Sequence, residues 1–257
     1  AGKEVIAGRI ESRDSEVSTV SLFEEVESNR WTLIADSIEL SLQVPFYTRI
    51  DGQVILGGVE VVFLEDGTAN WRTVFYHLAT LSEAKKIFEG PWGMKDLRLK
   101  QLSSGEILVL TRPQGTKGGR GKIGATIVHA LSDLTIEIIT EAPLLSDQFC
   151  ESEWGGGNEI HEIDGDIWVL GHIANFDDQG NRHYYAMVFC LERNQFAMTQ
   201  AKIIAERNDF QQGPMKRSDL EDVVFSGGLH IYEDHIVLYA GISDAGAQKI
   251  KLENPFR

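Results

Sequence analysis

Two carboxylates, a few cations and three histidines are the residues of this chain whose types could do chemistry. Asp96, in Met94-Lys95-Asp96-Leu97-Arg98, and Glu159, in Gly157-Asn158-Glu159-Ile160-His161, each stand beside a short apolar run. A pair of acids suits cleavage of a glycosidic bond. One protonates the leaving oxygen, and the other serves a water or acts as nucleophile. Each acid also has a plainer reading, as a turn cap or as the partner of Arg98 or another cation. Glu60, which closes Gly57-Gly58-Val59-Glu60, is a third candidate acid. It falls in register with Glu11, and together they suggest a carboxylate edge shared by neighbouring sheets.

The stretch Glu153-Trp154-Gly155-Gly156-Gly157-Asn158-Glu159-Ile160-His161-Glu162 has a sugar-binding composition. Three glycines let the backbone pass close to something bulky. A tryptophan beside carboxylates and an amide can stack on a sugar face while its neighbours bond the hydroxyls. The alternative is a core tryptophan next to a glycine-rich turn. Trp154, Asn158, His161 and Arg98 are thus expected to bind substrate, with His172 and His183 as further hydrogen-bonding groups. No HxH or HExxH spacing accompanies the histidines, so metal ligation is the weaker reading and no cofactor is expected. Arg13 and Asp14 belong to the run 9–16 (RIESRDSE), read as a continued strand with Glu11, Arg13 and Ser15 on one face. They join the substrate-binding set, with ordinary surface charge as the alternative.

The segment 112–122 (RPQGTKGGRGK) carries four cations and no acid in a chain of net charge -15. Its glycines free backbone amides to point inward, as anion-binding loops do. It lacks the GxxxxGK[ST] spacing of a nucleotide P-loop. Arg112, Lys117, Arg120 and Lys122 are therefore candidates for a phosphate or carboxylate clamp, against the alternative of a mobile basic loop.

What must position these groups is a repeat. Five segments share a turn followed by an apolar strand: 4–11 (EVIAGRIE), 53–60 (QVILGGVE), 106–113 (EILVLTRP), 166–173 (DIWVLGHI) and 235–242 (HIVLYAGI). Asp51-Gly52, Ser104-Gly105, Asp164-Gly165 and Glu233-Asp234 precede the last four, and Gly2-Lys3 the first. Such pairs between apolar runs signal hairpins. A shorter strand stands before each of the last four turns, at 46–50, 97–102, 159–163 and 229–232. The apolar second strands read as buried on both faces. Helical periodicity is weak throughout; 81–88 (LSEAKKIF) fits a turn or two. The spacing predicts an all-β chain, a single domain over residues 1–257 forming a five-bladed β-propeller. Its first blade lacks its innermost strand in the visible chain. In that architecture, first strands line a central channel. Asp96, Asn158, Glu159 and His161 would meet there with Asp222, Ser226 and His230, whereas Val44-Pro45 occupies the matching place in blade 2.

Composition limits the partners. With 24 Lys and Arg against 39 Asp and Glu, the chain repels phosphate backbones, and nucleic acid is an unsuitable partner. No apolar run reaches the ~20 residues of a membrane span. Two cysteines, Cys150 and Cys190, read as free buried thiols and lean weakly towards a reducing, cytoplasmic setting. Localisation is otherwise open.

Several of these motifs resemble a family of mostly microbial proteins. They include Arg13-Asp14-Ser15-Glu16, Gly57-Gly58-Val59-Glu60, Met94-Lys95-Asp96-Leu97-Arg98, Thr111-Arg112-Pro113-Gln114-Gly115 and Gly119-Arg120-Gly121-Lys122-Ile123-Gly124. Gly156-Gly157-Asn158-Glu159-Ile160-His161, Gly171-His172-Ile173-Ala174 and Arg182-His183-Tyr184-Tyr185-Ala186-Met187 complete the set. More distantly the chain is similar to five-bladed propeller glycosidases: arabinanases, invertases and mannoside phosphorylases. The resemblance implies a carbohydrate-active propeller with its pocket on the axis and a sugar, a sugar phosphate or inorganic phosphate as ligand. Asp96 and Glu159 match that distant group by place and type. The usual triad of acids does not map in full, because Val44 stands at one position. A glycoside hydrolase or phosphorylase is the expectation, a sugar-binding propeller without turnover the alternative, and an interaction scaffold the third reading.

Overall fold

The computed structural model describes residues 4–256. The described residues form five antiparallel sheets, and the chain divides into two compact units, residues 1–95 and 96–257.

The first unit holds two sheets. One joins β1 (Val5–Glu11), β2 (Ser18–Glu27) and β3 (Arg30–Leu33); the other joins β4 (Gln43–Ile50), β5 (Gln53–Phe63), β6 (Ala69–Thr80) and β7 (Glu83–Glu89). Asp51 and Gly52, at φ 51° and 76°, both take the left-handed conformation that a two-residue hairpin turn demands. Val20, Leu42 and Val74, and beside them Leu22, Ile38 and Leu56, bury the apolar faces of the two sheets. Two expectations change here. The segment 81–88 contributes to strand β7 and not to a helical turn, because Phe88 pairs with Phe75 across the ladder and stacks on its ring at 5.6 Å. Such cross-strand packing outweighs local helix preference. The run from Arg9 to Glu16 is not one strand either: β1 ends at Glu11, which pairs with Ser18 as the chain turns back. The Gly2-Lys3 turn lies outside the described residues.

The second unit holds three sheets. They are β8 (Arg98–Gln101), β9 (Ile107–Thr111) and β10 (Gly124–Val128); β11 (Trp154–Ile163), β12 (Asp166–Phe176), β13 (Arg182–Glu192) and β14 (Ala197–Ala205); and β15 (Val224–Ile231), β16 (His235–Ile242) and β17 (Gly246–Glu253). Two short helices, α1 (Gly115–Gly118) and α2 (Ile136–Glu141), flank β10. Leu108, Leu110, Val169 and Phe189 fill the core between the first two of these sheets, and Leu170, Val188, Val224 and Leu238 the core between the next two. The expected hairpins are therefore β4–β5, β8–β9, β11–β12 and β15–β16. Strand β9 and residues 167–172 of β12 are buried throughout, as expected, but β16 alternates between buried and half-buried positions. Of the thiols, only Cys190 is buried; Cys150 is exposed.

The triple glycine is strand, not turn. β11 starts at Trp154, and a Cβ on Gly155 would meet the His172 carbonyl oxygen at 2.3 Å, and on Gly157 the Leu110 side chain at 2.6 Å. Close packing from the neighbouring strands requires glycine here, against its poor strand propensity.

Candidate functional site

Irregularities in the second unit set up the site. The ladder shifts register at Gly157/Glu159 in β11 and at Ser226/Gly228 in β15. Such bulges re-aim a side chain without breaking the sheet. In β11 the extra residue is Asn158. Before β8 the same purpose is served by Asp96, held at φ 62°. That conformation costs most L-residues about 1–2 kcal/mol and is easiest for Asp and Asn.

Asp96, Arg98 and Arg112 form a buried ionic cluster. Asp96 Oδ1 lies 3.6 Å from Arg98 Nη2 and Oδ2 lies 3.5 Å from Arg112 Nη1, all three side chains being only 3% exposed. Both guanidiniums are anchored by backbone. Arg98 Nε donates to the Asn158 carbonyl at 2.8 Å and Nη1 to the Leu97 carbonyl at 2.9 Å. Arg112 Nε donates to the Gly155 carbonyl at 2.6 Å. Burial pulls the Arg98 guanidinium below its ordinary value, and the Asp96 carboxylate opposes that pull. Arg112 Nη1 makes no hydrogen bond among the described residues. A buried donor in that state costs about 1–3 kcal/mol and signals a missing partner.

Next to the cluster lies His172, also buried. Its Nδ1 is 2.8 Å from Asn158 Oδ1, and Asn158 Nδ2 donates to the Ser226 carbonyl at 2.8 Å. Tyr184 stacks on one side of the imidazole (centroids 5.7 Å) and Phe225 lies 4.8 Å away. Gly156 joins the two groups sterically: a Cβ there would meet Arg112 Cδ at 2.8 Å and His172 Cε1 at 2.9 Å. Asp96, Arg98, Arg112, Asn158 and His172 are thus brought together, from the β8–β10 and β11–β14 sheets.

The remaining sequence-predicted residues have other settings. Trp154 is buried, its Nε1 bonded to Tyr184 Oη at 3.0 Å and its ring against Phe176 at 4.8 Å. Glu159 Oε2 accepts from Leu229 N at 2.7 Å and faces His161 Nε2 at 3.1 Å, so its carboxylate ties β11 to β15. Glu60 meets Arg72 at 2.7 Å and Lys86 at 2.9 Å. Burial pushes its carboxyl up, but hydrogen bonds from Lys86 and Arg72 outweigh this and hold it below the usual carboxylate range. Glu11 pairs separately, with Arg9 at 3.0 Å. Arg13 and Asp14 are exposed in the β1–β2 turn.

The basic segment does not act as one loop. Lys117 Nζ donates to the carbonyls of Thr140 and Ala142, both at 2.6 Å, and so closes the end of α2. The Arg120 guanidinium lies over Phe176 (4.8 Å) and Trp154 (5.5 Å). Lys122 is half-buried just before β10. His183 sits between two carboxylates, Asp222 at 2.5 Å and Asp177 at 3.5 Å, and the Asp222 hydrogen bond raises its pKa against the effect of burial. Sequence reasoning missed Tyr184, Phe225 and Asp177. The alternation of β13 places Tyr184 and His183 on opposite faces, a signal that was readable for Tyr184, while Phe225 had none. Among the described residues no group of three or more His, Cys, Asp or Glu could hold a metal ion.

The family model described as "Protein of unknown function (DUF1861)" matches residues 1–257. The chain belongs to this family. A mannose phosphorylase from Leishmania mexicana, solved in complex with a phosphate ion, superposes with a TM-score of 0.92 at 31% identity, covering 99% of this chain and 81% of that one. A GDP-Man-dependent mannosyltransferase from the same organism gives 0.89 at 28% identity, covering 99% and 82%. The fold extends to a β-1,2-mannobiose phosphorylase from Listeria innocua, with a TM-score of 0.65 at 14% identity over 92% of this chain and 67% of that one. No curated protein sequence matches this DUF1861 member.

Proposed function

We propose that the five sheets are the blades of a five-bladed β-propeller and that this DUF1861 protein is a mannoside phosphorylase centred on Asp96. Inorganic phosphate attacks the anomeric carbon of a mannosyl residue. The bond from that carbon to the leaving sugar oxygen breaks, a carbon–oxygen–phosphorus linkage forms, and the Asp96 proton passes to the leaving oxygen. The proton still carried by the esterified phosphate then restores Asp96, so the cycle closes without a second carboxylate. Phosphorolysis needs one acid and an anion site, where hydrolysis needs two acids. The observation that carries the reading is Arg112 Nη1, buried, without a hydrogen bond among the described residues and 3.5 Å from Asp96. Phosphate beside Arg112 would satisfy that donor with a charge-assisted hydrogen bond. It would also draw positive charge away from Asp96 and so favour its protonated form. The 31% identity to a mannose phosphorylase solved with phosphate supports the same reading. Glu159, turned to Leu229 and His161, takes a structural part in it.

A second reading is mannosyl transfer from GDP-mannose, supported by the TM-score of 0.89 to a transferase of that kind. One experiment separates the two. The protein is incubated with manno-oligosaccharides of different linkage plus inorganic phosphate, and in parallel with GDP-mannose plus mannose, under ³¹P NMR. Mannose 1-phosphate in the first tube, lost in Asp96→Asn, supports phosphorolysis. GDP release in the second alone supports transfer. Silence in both removes the catalytic reading and leaves a sugar-binding protein, and full activity in Asp96→Asn removes Asp96 as the acid.

A further inference from the structure

We infer that Asn158 is a positioning residue that fixes the tautomer of His172, placing the imidazole proton on Nδ1 and the ring's accepting lone pair on Nε2. The donors and acceptors around the two side chains fix this arrangement. The Ser226 carbonyl has no proton to give, so the Asn158 atom 2.8 Å from it must be the amide nitrogen. The amide cannot then be flipped. Its oxygen faces His172 Nδ1 at 2.8 Å, and an amide oxygen only accepts, so Nδ1 must donate. Both atoms of the side-chain amide are used this way, which moves Asn158 from the sugar-binding set to the support of another residue.

The surroundings hold this arrangement in place. Asn158 is the extra residue of the β11 bulge, and its own carbonyl accepts from Arg98 Nε at 2.8 Å. Ser226 is fixed in turn, because its hydroxyl donates to the Gly171 carbonyl at 2.7 Å. Tyr184 and Phe225 pack against the ring, and a Cβ at 156 would meet its Cε1 at 2.9 Å. Asn158 therefore couples the imidazole of β12 to the bulge of β15 through its side chain, and both to Arg98 of β8 through its backbone carbonyl. Nε2 is then the ring's basic atom, the one with the chemistry to accept from a hydroxyl of a sugar or of a protonated phosphate, and Nδ1 is not. That use rests on the phosphorylase reading, but the tautomer does not.

The test is long-range ¹H–¹⁵N NMR of uniformly ¹⁵N-labelled full-length protein at alkaline pH, with His172→Gln assigning the resonance. Wild type is expected to show a protonated Nδ1 and a bare Nε2. In Asn158→Ala the preference should be lost, and in Asn158→Asp, which keeps an acceptor at Nδ1, it should return. Where phosphorolysis is present, Asn158→Ala should lower kcat by about 10-fold while the KM for phosphate moves far less, as for other residues that orient a reacting group. A proton on Nε2 in wild type overturns the inference. So does an imidazolium that persists to the alkaline limit of folding, or an unchanged tautomer in Asn158→Ala. These outcomes are read without any substrate, so they stand apart from the success or failure of the phosphorylase reading.

Discussion

Gly156→Ala is the sharpest probe of the packing beneath the site. Its Cβ would enter at 2.8 Å from Arg112 Cδ, 2.9 Å from His172 Cε1 and 3.1 Å from Arg112 Nε. The backbone at 156 is an ordinary strand residue, so the whole effect is steric. Arg112 has the more flexible side chain and must yield, stretching its 2.6 Å bond to the Gly155 carbonyl and swinging Nη1 from Asp96. Overpacking of this kind costs about 1–3 kcal/mol. At about 2–4 °C per kcal/mol for a chain near this size, the midpoint should fall by roughly 2–12 °C. The informative quantity is phosphate-dependent stabilisation. Phosphate at about 100 times its Kd should stabilise wild type by about 2.7 kcal/mol, and a tenfold weaker site would gain only about 1.4 kcal/mol. Scanning calorimetry with and without phosphate reads both effects. Gly165→Ala is the control: at φ 90° it strains the backbone but has nothing within 4 Å of its Cβ. It should lower the midpoint and leave the phosphate shift untouched. If Gly156→Ala kept the full phosphate shift, the placement of the anion at Arg112 would be wrong.

Further outcomes follow from the same contacts. Lys117→Met removes both hydrogen bonds from Lys117 Nζ to the end of α2 and should cost about 1 kcal/mol in urea unfolding, with phosphate affinity by calorimetry unchanged. Glu60→Gln should cost at most about 1 kcal/mol, since its partners Arg72 and Lys86 are partly exposed, and a rate assay should find turnover intact; a lost rate would restore Glu60 as an acid. His183 has a raised folded pKa, so its pairing with Asp222 and Asp177 stabilises fully below the unfolded value of about 6.5 and is lost as pH rises through the folded pKa. His183→Gln should flatten that limb of a stability–pH curve. Asp177, held at about 2 chiefly by the Asn181 side chain, acts at the other end. Its contribution is present above its unfolded value of about 3.9 and disappears as pH falls towards 2, a loss that Asp177→Asn should abolish.

The amino-acid sequence determined the hairpins, because their signals are local. Asp51-Gly52 and Asp164-Gly165 carry the left-handed angles their turns need, and the apolar runs that follow them are the buried strands β5 and β12. It also singled out Asp96, Arg98, Arg112, Asn158 and His172 as polar groups beside apolar runs, and all five are buried. Which of them meet was a tertiary decision. Strand alternation assigns a face, but a single extra residue reverses it, and the bulge at Asn158 cannot be seen in residue types alone. Neither could the separate fates of the four cations in 112–122 be read from their spacing. Arg112 directly follows the buried strand β9, beside Asp96, while Lys117, five residues on (117−112), reaches carbonyls at the end of α2. Long side chains choose partners by what the fold brings within reach, and contacts between Arg112 and Gly155 or between Asn158 and Ser226 span 43 and 68 residues of sequence. That separation is why local pattern names the participants and only the assembled sheets decide their roles.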